Sequence, residues 1–139
     1  SVRSKFGLPE TGIGLLPGAG GTQLLTRAVG RALAAEMILA GRVLDGTEAV
    51  EVGLTSRAFP EDSWFEDSVA IATQVASRPA LAQQLAKDSI RLAQSSPPDV
   101  GLEAERRAFA MALGTDEAKE GLAAFLEKRT PDWSEGKDP

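Results

Sequence analysis

Phe6-Gly7-Leu8-Pro9-Glu10-Thr11-Gly12-Ile13-Gly14-Leu15-Leu16-Pro17-Gly18-Ala19-Gly20-Gly21-Thr22-Gln23 is the stretch on which the reading of this chain turns. Five glycines and a proline between Gly12 and Gly21 exclude regular helix and central strand. Pro9 pins a turn at Glu10 and restricts Leu8 to extended backbone. Residues 4–8 therefore read as a short strand. A helix is expected from Gly20 or Gly21 to Val29, with Gly30 as its stop. Glycines before a helix let backbone N–H groups approach a ligand, and the helix N-terminus favours negative charge. A carboxylate a few residues from such a loop can position a water and exchange a proton with it. The residues alone leave two plainer readings open. Glu10 can be a solvated turn carboxylate, and the glycine run a tight strand-to-helix connection. The loop is not a Walker loop, because no Gly-Lys-Ser/Thr follows, and its glycine spacing does not fit a dinucleotide fingerprint.

Working outward, Arg31 to Ala40 predicts a helix with Leu33, Met37 and Ala40 on one face and Gly41 as C-terminal cap. Asp45 with Glu48 three residues later reads as a capping box, on a short helix closed by Gly53. Leu54 to Phe59 reads as a second short strand, ended by Pro60. Helices follow: from Ser63 to about Ser77, then from Pro79 at a first helical position to about Gln94. Ser95-Ser96-Pro97-Pro98 breaks the pattern. Asp99 is the expected cap of the next helix, which runs through Leu113 with Leu102, Phe109 and Leu113 aligned. Thr115 or Asp116 caps the last helix, which carries Ala118, Leu122 and Phe125 inward and ends near Lys128 or Arg129. The polar tail from Thr130 is expected to fray. Residues 1–60 and 61–139 are thus expected to differ, the first mixing loop, strand and helix, the second a helical module. Two short strands do not make a stable sheet, so residues 1–60 read as the edge of something larger.

Composition narrows the chemistry. The 139 residues are 42% hydrophobic and 25% charged, which is not a disordered composition. Net charge is -5. Residues 1–57 carry six Lys and Arg against five Asp and Glu, and residues 58–139 carry nine against fifteen. Such a balance argues against nucleic-acid and membrane-surface binding. Cysteine and histidine are both absent. Disulfides, thiolate nucleophiles, Ser-His-Asp chemistry and the usual zinc sites are excluded, and no metal site is expected. Acid–base work falls to a carboxylate or a lysine. No apolar run reaches membrane-spanning length, and no signal-peptide pattern opens the sequence.

Phe6-Gly7-Leu8-Pro9-Glu10 followed by Gly14-Leu15-Leu16-Pro17-Gly18-Ala19-Gly20-Gly21-Thr22-Gln23 resembles the signature of the enoyl-CoA hydratase/isomerase (crotonase) family. Leu25 to Gly30, Ala34 to Gly41, Glu48-Ala49 with Gly53-Leu54, and Lys119 to Arg129 continue the likeness in order along essentially the whole chain. The resemblance implies an α/β crotonase (ClpP/crotonase-like) fold. This chain would supply its C-terminal portion, mostly α-helical with about two short strands. Residues 1–60 would be the last part of the spiral core and residues 61–139 a helical trimerisation module. It implies reversible addition of water to 2-enoyl-CoA thioesters, with no separate cofactor, coenzyme A being part of the substrate. By position, Glu10 matches the second of two water-positioning glutamates, and Gly18 the loop glycine whose N–H lies beside that water. Phe109 and Lys128 match helical positions of the CoA site; their plainer readings are a core residue and a solvated helix end.

The family's first glutamate and both oxyanion-hole segments lie upstream of these residues, and Leu24 stands where the family usually has Arg. The isolated chain is therefore expected to be inactive. The implied partners are an acyl-CoA thioester and either further copies, as a trimer or dimer of trimers, or a missing N-terminal half. The alternative is a non-catalytic oligomerisation module, or a truncated paralogue pairing with full-length subunits. RNA binding, reported for one branch of the family, is disfavoured by the acidic balance and the lack of interleaved basic and aromatic residues. The resemblance places the protein in a bacterial cytoplasm or the mitochondrial matrix.

Overall fold

The structure is a computed structural model and describes residues 1–133. The chain divides into two compact units, Ser1–Ala70 and a second beginning at Ile71.

The first unit contains a 3₁₀ turn, Glu10–Ile13, and helices α1 (Gly21–Val29), α2 (Arg31–Leu39) and α3 (Gly46–Glu51). It also holds the start of α4 (Trp64–Ala76). The expected strands at residues 4–8 and 54–59 do not form. One antiparallel bridge, Phe6 to Leu44, is what remains of sheet among the described residues. Its two hydrogen bonds, Phe6 N–H to Leu44 O and the reverse, are both 2.9 Å. Val2 N–H donates to Phe59 O, also at 2.9 Å, without extending the ladder. A strand persists only where neighbours repeat the pairing along it, and neither segment finds such a neighbour here.

Gly30 joins α1 to α2 at φ 80 and ψ 161, a conformation that essentially only glycine adopts, so the chain turns there without a loop. The two helices pack together, and their contact makes the core: Leu25 from α1, Ala34, Met37 and Ile38 from α2, and Leu44 from the bridge. Met37 and Leu44 are 1% and 0% exposed, each burial contributing about 1.5–3 kcal/mol. Phe6, Leu8, Val29, Leu33, Val52 and Leu54 pack around them. The predicted capping box on α3 is present. Asp45 Oδ1 accepts from the N–H groups of Thr47 and Glu48, and Glu48 Oε2 accepts from Asp45 N–H, all at 2.9 Å. Arg42 ties α2 to α3 through Glu36 and Glu48 at the surface.

The second unit contains α5 (Ala80–Ala93), α6 (Pro98–Leu113) and α7 (Asp116–Glu127), with α5 packed on α6 and α6 on α7. Three expectations are corrected. Pro79 precedes α5 as its N-cap rather than opening it. Asp99 sits inside the first turn of α6, and Pro97 is the capping residue, because Pro98 takes the first helical position where a missing N–H costs nothing. Phe125 does not point inward: it is 80% exposed, and the buried residue of α7 is Ala124. Thr115 caps α7, its Oγ1 accepting from Ala118 N–H.

The tail does not simply fray after Thr130. Glu120 accepts two hydrogen bonds from Arg129, at 2.6 and 2.8 Å, and a third from Asp132 N–H at 2.7 Å. Arg129 first, and the Asp132 N–H second, hold the Glu120 carboxyl down from its ordinary 4.5 to about 2. The stabilisation from this carboxylate is complete above 4.5 and is lost as pH falls through about 2. The rest of the tail, 134–139, lies outside the described residues.

Two single substitutions are expected to move the stability of the first unit in opposite directions. Asp45→Ala removes the capping box and costs about 1 kcal/mol. Thr55 Oγ1 is buried with no hydrogen-bond partner among the described residues, so Thr55→Val, the same shape without the hydroxyl, gains about 1 kcal/mol. Urea midpoints of the two variants and the parent chain check both signs.

Candidate active site

Glu10 opens the 3₁₀ turn directly after Pro9. Gly12 N–H bonds back to Pro9 O at 2.9 Å, and Gly14, in left-handed backbone, ends the turn with its N–H on Thr11 O at 3.1 Å. Leu15 N–H returns to Glu10 O at 3.1 Å. The turn is then clipped to α2: Thr11 Oγ1 donates to Ile38 O at 2.6 Å. Ile38 lies in the last turn of α2, where carbonyls lack helical partners. One hydroxyl thus satisfies a helix end and fixes the residue next to Glu10.

The Glu10 side chain is half-buried. Its Oε2 is buried and has no hydrogen-bond partner among the described residues. Buried polar atoms in native folds are nearly always paired, and an exception calls for a physical reason. A carboxylate oxygen held out of bulk solvent with its lone pairs unspent can receive a proton from, or orient, a water brought to it.

The end of the glycine bend lies against the segment that precedes this turn. A Cβ on Gly21 would stand 2.7 Å from Pro17 Cβ and 3.0 Å from Leu8 Cδ1. The first residue of α1 is therefore pressed against the segment that leads into Pro9 and Glu10, an approach that only glycine permits. Gly18 is different. It is exposed, and a Cβ there would meet nothing within 4 Å. Its carbonyl accepts from Gly20 N–H at 2.6 Å, while its own N–H has no acceptor among the described residues. Nothing among the described residues demands glycine at that position.

Phe109 and Lys128 belong to the second unit. Phe109 is not a core residue: it is 67% exposed on α6. With Leu81, Leu113, Leu122 and Trp133 it lines an apolar cavity of about 340 Å³. Lys128 is the C-cap of α7 in left-handed backbone, φ 56, exposed and without an ion pair among the described residues. Of the four residues singled out from sequence, Glu10 and Gly18 thus lie in the first unit and Phe109 and Lys128 in the second. Thr11 and Trp133 were not foreseen. A lone threonine in a turn carries no signal of its partner 27 residues away. Trp133 sits in a stretch whose composition reads as solvated tail.

Against known proteins, the family model described as enoyl-CoA hydratase/isomerase matches residues 1–136. The chain is 42% identical over 130 residues to the 2,3-dehydroadipyl-CoA hydratase of Escherichia coli, covering 94% of this chain and 51% of that protein. It is 44% identical over 131 residues to a probable enoyl-CoA hydratase of Mycobacterium bovis, covering 94% and 51%. A mitochondrial probable enoyl-CoA hydratase of Dictyostelium discoideum is 38% identical over 131 residues, covering 94% and 47%. Among solved structures, an enoyl-CoA hydratase subunit of Geobacillus kaustophilus superposes with a TM-score of 0.92 at 36% identity, covering 96% of this chain and 52% of that one. The enoyl-CoA hydratase of Bacillus anthracis gives 0.89 at 38% identity, covering 94% and 51%. The chain spans about half the length of the relatives it matches. No helix among the described residues is long and apolar enough to cross a membrane.

The Thr11 clip is testable directly. Thr11→Val leaves the Ile38 carbonyl without its partner and is expected to cost about 1 kcal/mol, with faster amide exchange at Gly12 and Gly14; Thr11→Ser is expected to restore both. Hydrogen exchange read residue by residue checks it.

Proposed function

This chain belongs to the enoyl-CoA hydratase/isomerase family, and from that premise we propose that it carries the proton-transfer side of a site that reversibly adds water to 2-enoyl-CoA thioesters. In the forward direction a water oxygen bonds to the β carbon as the C=C opens, and a proton arrives at the α carbon. Glu10 holds the water through Oε2, exchanges a proton with it and passes one to the α carbon. Gly18 N–H lies beside that water as a fixed donor. Negative charge gathers on the thioester oxygen during the addition, and preorganised N–H groups are the usual means of stabilising it. In this reading those groups, and a second glutamate, come from sequence outside the 139 residues. No cofactor takes part beyond the coenzyme A of the substrate.

Phe109 and Lys128 serve the coenzyme A moiety: Phe109 as an exposed aromatic face, Lys128 as an exposed cation for a phosphate or the adenine end. Exposed Phe125 and Leu126 on α7 favour association with further copies or with a longer subunit. That observation also keeps alive the second reading, a module that assembles without turning over. Relatives that include bacterial and mitochondrial proteins support a bacterial cytoplasm or a mitochondrial matrix as the location.

The observation that carries the catalytic reading is the buried, unpartnered Oε2 of Glu10. In the longest polypeptide that the gene encodes, Glu10→Gln is expected to lower kcat on crotonyl-CoA by about 10²–10⁴-fold with KM little changed. The 139-residue chain alone is expected to give no turnover. A Glu10→Gln enzyme within a few-fold of its parent would overturn the role of Glu10. Robust turnover by the isolated chain would overturn the division of the site.

A further inference from the structure

The turn that carries Glu10 is held in shape from within. Gly12 N–H to Pro9 O, Gly14 N–H to Thr11 O and Leu15 N–H to Glu10 O all begin and end in residues 9–15. Such bonds fix the curvature of the turn and leave its seat on the rest of the unit open. The aliphatic side chains that follow Glu10, Ile13, Leu15 and Leu16, are all exposed and contribute little to that seat. Among the described residues, one hydrogen bond leaves the turn for another element, from Thr11 Oγ1 to Ile38 O at 2.6 Å.

The acceptor end of that bond is rigid. Ile38 is buried in the core that α1 and α2 share, in one cluster with Met37 and Leu44. Its carbonyl lies where the helix ladder stops. Arg42 N–H, which a continuing helix would bring to Ile38 O, bonds to Glu36 O instead, at 3.4 Å. Thr11 takes the vacant place. The donor end is half-buried and is the neighbour in sequence of a carboxylate whose Oε2 is buried without a partner among the described residues. No hydrogen bond there holds that oxygen, so its position is inherited from the main chain of the turn.

We propose that Thr11 is a positioning residue for proton transfer by Glu10, its hydroxyl carrying the rigidity of the α1–α2 core, through the Ile38 carbonyl, to the turn from which the carboxylate reaches. The inference rests on the reading of Glu10 as the group that exchanges a proton with the water. Thr11 acts through the turn, its own hydroxyl proton being committed to Ile38 O. Proton transfer requires a heavy-atom approach of about 2.6–3.2 Å, and a misplacement of about 1 Å costs about 10²-fold in rate. Binding of the substrate depends far less on where this one carboxylate sits, so loss of the clip falls on kcat and not on KM.

In the longest polypeptide that the gene encodes, hydration of crotonyl-CoA is compared for the parent, Thr11→Val, Thr11→Ser, Glu10→Gln and the double variant Thr11→Val with Glu10→Gln. Thr11→Val is expected to lower kcat about 10–10²-fold with KM within about twofold. Thr11→Ser keeps the donor and is expected to return kcat to within about threefold of the parent. With Glu10→Gln already present, Thr11→Val is expected to change kcat by less than about threefold, because the group it positions is gone. A parental kcat in Thr11→Val beside an impaired Glu10→Gln would overturn the positioning role and leave that of Glu10 standing. So would losses that multiply in the double variant, since Thr11 would then act elsewhere in the fold. A Glu10→Gln enzyme at parental kcat takes both readings down together. The geometry is also decided without turnover, by the side-chain three-bond couplings of Glu10 measured by NMR in the 139-residue chain. One rotamer is expected in the parent and in Thr11→Ser, and rotamer averaging in Thr11→Val. Averaging in all three, or in none, would overturn the proposal.

Discussion

Two main-chain hydrogen bonds between Phe6 and Leu44, 2.9 Å each, hold the first unit to its arrangement. They join the segment that enters the Pro9–Glu10 turn to the segment that leaves α2. Leu44 is thereby sealed into the core with Met37 and Ile38, and Phe6 and Leu8 are laid against the same cluster. With Leu8 fixed, Gly21 can seat against it, and the start of α1 is placed. With α2 fixed, its free carbonyl at Ile38 is within reach of Thr11, and Glu10 is held one residue away. The site is thus a consequence of packing made elsewhere. No interaction of the Glu10 carboxylate itself is needed to keep it where it is.

Much of this was legible because it is local. Asp45 and Glu48 are three apart, and that spacing alone specifies a capping box. Gly30 between two helical patterns marks the junction, since only glycine accepts the backbone found there. The Pro9–Glu10 turn and the glycine bend follow from residues that forbid anything more regular. The two expected strands were not legible in the same sense. Residues 4–8 have strand-like composition, but a strand is a property of pairs, and the pairing beyond Phe6–Leu44 is not among these residues.

The second unit shows the other limit. Periodicity says which side chains of α6 and α7 line up along each helix. It cannot say what the aligned face meets. Phe125 faces outward, with Ala124 taking the buried position on α7, and Phe109 lines a groove between helices while staying largely exposed. For the candidate site, Glu10 and Gly18 could be named from their surroundings in the chain. The properties that give them meaning could not: among the described residues, one oxygen without a partner and one N–H without an acceptor. Those arise from where the fold leaves empty-handed groups. Thr11 and Trp133 depend on partners far along the chain or in a segment that reads as tail.

The unpaired oxygen of Glu10 also has an evolutionary side. A buried acceptor with nothing to accept is a burden on folding, and most proteins trade such burdens away when nothing retains them. Glutamine or a smaller neutral residue at position 10 would relieve it at a single step, within a turn already secured by Pro9, Gly14 and Thr11. A lineage of this chain under selection for foldability alone would drift from glutamate there. The residue at this position, read across descendants, is therefore a record of whether the chemistry was still in use.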